Sequence, residues 1–313
     1  MELIKNISII FMSIFLESMP FLLLGSIISS IIETFVSDET MARLIPRNRF
    51  LGTIVGIFLG FFIPACDCAV IPVSKRLLKK KVPLNVAVSF MLASPIINPV
   101  VLLSTYKAFY NNNPNIFWAR LFLGIFIAFI IGIIIDFLFK DIKVVNDSNG
   151  CDHDHCHCHE HKHENKLIQI IKHTEIDFFE VVKYLMFGAL LASLFQVIIP
   201  MNILNMFKDN TLLSIVILML FAYLVSLCST SDSFVGKSLI NVFPKGAVLS
   251  YLLLGPMIDI KNTIVLLGNY NKTFTYTLIA LIFTFVLITS FIIGGIVWEK
   301  RLFLLYVLFI RYL

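Results

Sequence analysis

Charge is scarce in this chain. Only 14% of its residues are Asp, Glu, Lys or Arg, against 58% that are hydrophobic. A soluble domain needs roughly 25% charged residues to cover its surface, so a water-soluble monomer is excluded. The strict apolar–polar alternation of barrel strands is missing too, which favours helices over a β-barrel. There is no Walker loop, no His-Glu-x-x-His helix and no nucleophile elbow, so nothing points to an enzyme or to a chain that hydrolyses ATP by itself. The first apolar block lacks a small-residue cleavage site and is too long for a signal-peptide core, so it is read as retained.

What is present is a set of apolar blocks of about 20 residues, the length that crosses ~30 Å of hydrocarbon. They run over about 7–32, 51–73, 87–109, 117–139, 176–199, 212–235, 247–268 and 274–297. All are rich in Ile, Leu and Phe. The expected fold is an all-α polytopic bundle of about eight spans, with the bilayer as its main partner and the cell membrane as its location. The apolar stretch Leu302 to Leu313 is too short to span. The net charge of +5 reports topology in such a chain, not nucleic-acid binding. With eight full crossings, Lys5, Lys75 to Lys81, the cluster Lys140 to Lys172 and the C-terminal Lys300, Arg301 and Arg311 share one side. That places both termini in the cytoplasm.

The chain also matches itself. Glu17 and Gly25 in the first block correspond to Glu180 and Gly188. Further on, Pro83, Ser89, Pro95 and Asn98 correspond to Pro244, Ser250, Pro256 and Asp259, at a shift of about 161–163 residues. This implies two related halves, 1–139 and 176–298, joined by a polar linker, 140–175, and followed by a tail, 299–313. Four full crossings per half make the repeat parallel. If one segment of each half re-enters instead of crossing, the repeat is inverted.

Two kinds of site follow. The first is intramembrane. Pro64 and Pro72 bracket Cys66-Asp67-Cys68, and each proline removes a helix hydrogen bond. The matching place in the second half holds Cys228 and Asp232. Broken helices at matching positions are the best sequence pointer to a transport site. The thiols are either small buried hydrophobes or a soft-ligand site. The acids are expected to face a cavity or the bundle interior. Pro95 and Pro99 around Asn98, and Pro256 before Asp259, break the third helix of each half. Asp259 is read either as a pathway residue or as half of a surface ion pair with Lys261. Glu17 is a further pathway candidate, whereas Glu180 has Lys183 one turn later as an ion-pair partner. The second site is the linker, where Cys151, His153, His155, Cys156, His157, Cys158, His159, His161 and His163 alternate. Imidazole with thiolate suits Zn, Cu or Ni.

Pro64 to Val73, Ser94 to Tyr106, Leu227 to Val235 and Gly255 to Asn262 together resemble the YraQ/ArsP-type predicted permease family, over nearly all of the chain except the linker and tail. The resemblance implies a polytopic permease. In the best-known branch the cargo is a trivalent organoarsenical, and in others copper or zinc. It makes Cys66 and Cys68 candidate cargo contacts. The leading expectation is secondary efflux of a soft, thiol-reactive small molecule or metal ion. The alternatives are a membrane thiol or metal relay, and a subunit that works only with a membrane partner or as a homo-oligomer.

Overall fold

The computed structural model describes residues 2–35, 46, 48–63, 67–110, 113–139, 144–145, 166–198 and 210–294. Among them the chain is helical, apart from one isolated antiparallel bridge between Val145 and Tyr270. In lipid every backbone group must be satisfied within the chain, and a helix does this locally.

Among the described residues twelve helices follow in order: α1 Glu2–Phe35, α2 Arg49–Phe62, α3 Val70–Lys79, α4 Leu84–Ile97, α5 Pro99–Phe109 and α6 Pro114–Leu138. Then come α7 Lys166–Ile198, α8 Thr211–Val225, α9 Ser229–Leu239, α10 Lys245–Met257, α11 Ile260–Asn269 and α12 Lys272–Ile292. Helix α7 begins nine residues before the expected end of the linker.

Six stretches among the described residues are long and apolar enough to cross a bilayer. They are Lys5–Ile31, Leu84–Phe109, Pro114–Leu138, Thr174–Val197, Lys245–Asn269 and Lys272–Ile292. Two of them are kinked composites. Asn98 joins α4 to α5, and Ile258 with Asp259 joins α10 to α11.

The two remaining apolar blocks, expected to cross, turn back instead. Gly52 lies against Asn85 and Val86, and Gly60 lies against Ser94. So α2 runs beside α4 in the same direction. Helix α3 reaches α4 through a tight turn at Lys80–Pro83, in which Lys81 is left-handed (φ 59°). It runs back along α4, with Ser74 Oγ 3.7 Å from Met91 Sδ. Helices α2 and α3 are therefore a hairpin. The second block behaves alike. Ile215 meets Ser250, Phe221 stacks on Tyr251 and Ser226 bonds Asp259, so α8 runs with α10. Gly236 against Leu252 and Asp232 against Gly255 set α9 antiparallel to α10.

The hairpins open at opposite ends of the bundle. Helix α11 finishes beside Ser74 and Lys75 of α3, and Asn271 N donates to the carbonyl of Val144 just after α6. Hence α10 starts at the end away from the start of α4. Glycine makes the first hairpin's packing possible. A Cβ at Gly60 would sit 3.0 Å from the Ser94 backbone, and Gly52, Gly56 and Gly60 form a small-residue stripe that lets α2 and α4 approach closely.

The prolines divide in their effect. Pro99 begins α5, as favoured at a first helical position, while Pro95 and Pro256 lie inside helices just before the breaks. Pro72 sits in the first turn of α3 and opens that helix instead of breaking it. Pro64 lies outside the described residues.

Candidate functional site

The tips of the two hairpins meet in the middle of the bundle. Asp67, at the first tip, accepts a hydrogen bond on Oδ1 from Ser229 Oγ of the second, at 2.5 Å. Asp67, Ser229, Asp259 and Lys261 are all buried. The Lys261 ammonium stands between the two carboxylates, 3.8 Å from Asp67 Oδ2 and 3.4 Å from Asp259 Oδ2. Asp259 is fully enclosed and well bonded. Its Oδ2 accepts from Ser226 Oγ at 2.6 Å and its Oδ1 from the Asn262 amide at 2.6 Å, which caps α11. Asp259 and Lys261 are thus buried and are not a surface ion pair. Charges this far from water persist only when paired.

Local backbone explains the placement. Ser226 ends α8 in the left-handed conformation (φ 54°), which a residue with a Cβ adopts at a cost. That turn throws its hydroxyl onto Asp259. Gly188 of α7 lets the backbone of Lys261 approach, since a Cβ there would lie 2.8 Å from Lys261 Cα. Gly25 of α1 does the same for the first tip, with Ala69 Cβ 2.5 Å away.

Both thiols among the described residues belong to this centre. Cys68 is buried, with Sγ 4.0 Å from Ser18 Oγ of α1. Cys228 is partly exposed. Both are within electrostatic reach of Lys261. Glu17 is within such reach of Cys228, although its side chain lies on the exposed side of α1. Cys66 lies outside the described residues.

A second polar cluster adjoins the first. Arg120 of α6 is fully enclosed. Its Nη1 donates to Thr105 Oγ1 at 2.6 Å and to Ser233 Oγ at 2.8 Å, and its Nη2 to the Ser229 carbonyl at 3.4 Å. Asp232 Oδ1 accepts from Tyr251 OH at 2.8 Å. Ser229 therefore touches both clusters, through its hydroxyl and its carbonyl.

Of the expected site residues, Asp67, Cys68, Cys228 and Asp259 come together and Asp232 lies next door. Asn98 stands apart as the cap of α5, its Oδ1 accepting from the Val100 amide at 3.0 Å. Glu180 pairs with Lys75 at 2.6 Å, across to the first hairpin. Among the described residues no three His, Cys, Asp or Glu side chains converge as metal ligands. The expected ligands from Cys151 to His163 lie outside the described residues. Sequence reasoning missed Lys261 and Arg120 as site residues. The available signal was a lone cation within an apolar block, which inside a membrane points to function.

A family model described as a predicted permease matches residues 3–295. The chain is 40% identical over 286 residues to the YcgR protein of Bacillus subtilis, covering 91% of this chain and 96% of that one. It is 35% identical over 285 residues to a Streptococcus mutans protein named as a candidate subunit of a two-component membrane permease complex, covering 91% and 94%. Similarity to the YraQ protein of Escherichia coli is 28% over 79 residues, a quarter of this chain. No solved structure matches.

Proposed function

This chain belongs to the predicted permease family, and on that premise we propose that it is a secondary transporter whose cargo site is the meeting point of the two hairpin tips. The observation that carries this reading is the Ser229–Asp67 contact. It brings together a thiol and a carboxylate from one tip and a thiol from the other, beside Asp259 and Lys261. The two thiols favour a soft, thiol-reactive solute such as a trivalent organoarsenical or a soft metal ion, and the direction is efflux.

The halves 1–139 and 176–298 each hold three crossings and one re-entrant hairpin. Three is odd, so the halves form an inverted repeat, the arrangement that supports alternating access around a central site. Two polar latches flank that site. On one side Ser74 Oγ meets Tyr270 OH at 2.6 Å and Lys75 Nζ meets Asn269 Oδ1 at 2.8 Å, tying α3 to the second half. On the other, Thr105, Arg120 and Ser233 tie α9 to the first half. With both latches made, the site is closed from both ends. Opening one at a time exposes it to alternate sides.

The test is uptake by everted vesicles of a trivalent organoarsenical, Cu⁺ and Zn²⁺. At least one is accumulated, and Cys68→Ser or Cys228→Ser lowers its uptake at least tenfold with protein level unchanged. Full uptake in the Cys68→Ser/Cys228→Ser double variant would sink the thiol-cargo reading.

A second reading has one observation of its own. The Streptococcus mutans relative is named as part of a two-component complex, and α1 turns most of its span outward with Glu17 exposed. In this reading a partner membrane chain covers α1. Stoichiometric co-purification of a second membrane protein from the native host, lost in Glu17→Leu, is the expected result.

A further inference from the structure

A small cavity lies beside the cargo site. It is lined by Asp67 of the first tip, by Pro256, Met257 and Ile258 at the break after α10, and by Asn262 of α11, together with apolar side chains. It has room for about one water-sized ligand.

Two of the lining side chains, Asp67 and Asn262, bring oxygen acceptors. Asn262 is 3% exposed, and its Oδ1 has no hydrogen-bond partner. A buried amide oxygen left unpaired is unfavourable, so such an atom calls for a ligand. Asp67 contributes a carboxylate. Helix α10 ends here, and the last carbonyls of a helix have no helical donors and carry the negative end of its dipole.

We propose that this cavity binds a small monovalent cation, sodium, as the ion coupled to transport. The inference rests on the reading of the hairpin tips as a transport site. Hard cations take oxygen ligands, and the broken ends of intramembrane helices supply them. The low charge selects a monovalent ion, because one carboxylate faces the cavity and Lys261 already stands 3.8 Å from it. An ion on Asp67 repels the Lys261 ammonium toward Asp259, which it already approaches at 3.4 Å. Asp67 belongs to the first hairpin and Asn262 to the second half, so the bound ion joins the two parts that must separate for the site to open.

The experiment uses the full chain in lipid nanodiscs, with ²²Na⁺ binding measured at constant ionic strength. Saturable binding is expected, displaced by NaCl but not by KCl or choline chloride. Asn262→Leu, which keeps the volume and removes the oxygen, weakens it at least tenfold. Asn262→Asp retains or tightens it. Sodium raises the melting temperature of the wild type and of Asn262→Asp but not of Asn262→Leu, a comparison that holds even where a variant is less stable in choline. Absence of saturable binding in the wild type, or equal binding by Asn262→Leu, overturns the proposal and leaves a cavity for water only. Sodium binding that persists in a protein unable to move any thiol-reactive cargo would refute the cargo assignment and leave this site standing.

Discussion

Lys261 is held by Asp67 and Asp259, and both carboxylates are buried. Removing one member of a buried charge group costs roughly 3–5 kcal/mol, because the remaining charges stay buried and unpaired. Lys261→Met is therefore expected to lower the melting temperature of the purified protein sharply. Adding Asp259→Asn to that variant returns part of the loss, since it removes the charge left over. If the double variant melts below the single one, the three side chains are not coupled as described. Ser229→Ala is milder, about 0.5–1.5 kcal/mol for one hydrogen bond, or up to roughly 3 because its acceptor is charged. At this scale the sequence was informative where chemistry was concentrated. Cys68, Asp67, Cys228 and Asp259 stood out as polar groups among prolines. Lys261 and Arg120 did not, because a cation near the end of an apolar block reads equally well as a topology signal.

Among the elements, the hairpins depend on backbone proximity more than on side-chain volume. Gly60 faces the backbone of Ser94, which cannot rotate away as a side chain can. Gly60→Leu is expected to push α2 off α4 and to abolish a monodisperse peak in size-exclusion chromatography. Gly60→Ala costs about 1–3 kcal/mol, in the range for overpacking, and lowers the melting temperature without abolishing the fold. The same contacts explain what the sequence hid. The block 51–73 has the length and composition of a full crossing, and a residue count cannot distinguish a helix that continues from one that turns back. The direction is set by which residues of α4 lie beside Gly52 and Gly60, more than 30 positions away in the chain. The breaks themselves were legible, since Asn98-Pro99 and Pro256 with Asp259 mark them. The reversal near Ser226 was not, because it uses a left-handed serine instead of glycine or proline.

For the whole molecule, replacing two crossings by two hairpins moves the loops between sides. Among the described residues, Arg49, Arg76, Lys79, Lys80, Lys81 and Lys272 now share a side, and the opposite side holds Lys5, Lys107, Lys237 and Lys245. The first group is the larger, so the positive-inside rule predicts it in the cytoplasm. On that prediction both termini face outward, opposite to the expectation from eight crossings, and the linker stays inside. Alkaline phosphatase fused after residue 294 is expected to be active, and the same reporter inserted at residue 150 inactive. The opposite pattern would return the termini to the cytoplasm.

The hairpins also cross-brace the chain. Helix α3, from the front of the sequence, is held by α11 and α7 from the back, and α9 is held by α5 and α6. A gene divided within codons 146–165 should therefore yield two polypeptides that are degraded when expressed singly, each showing lipid a polar tip with nothing to face. Expressed together, they should reassemble into a working protein without a covalent joint. In that sense the molecule is already an obligate heterodimer that happens to be translated as one chain.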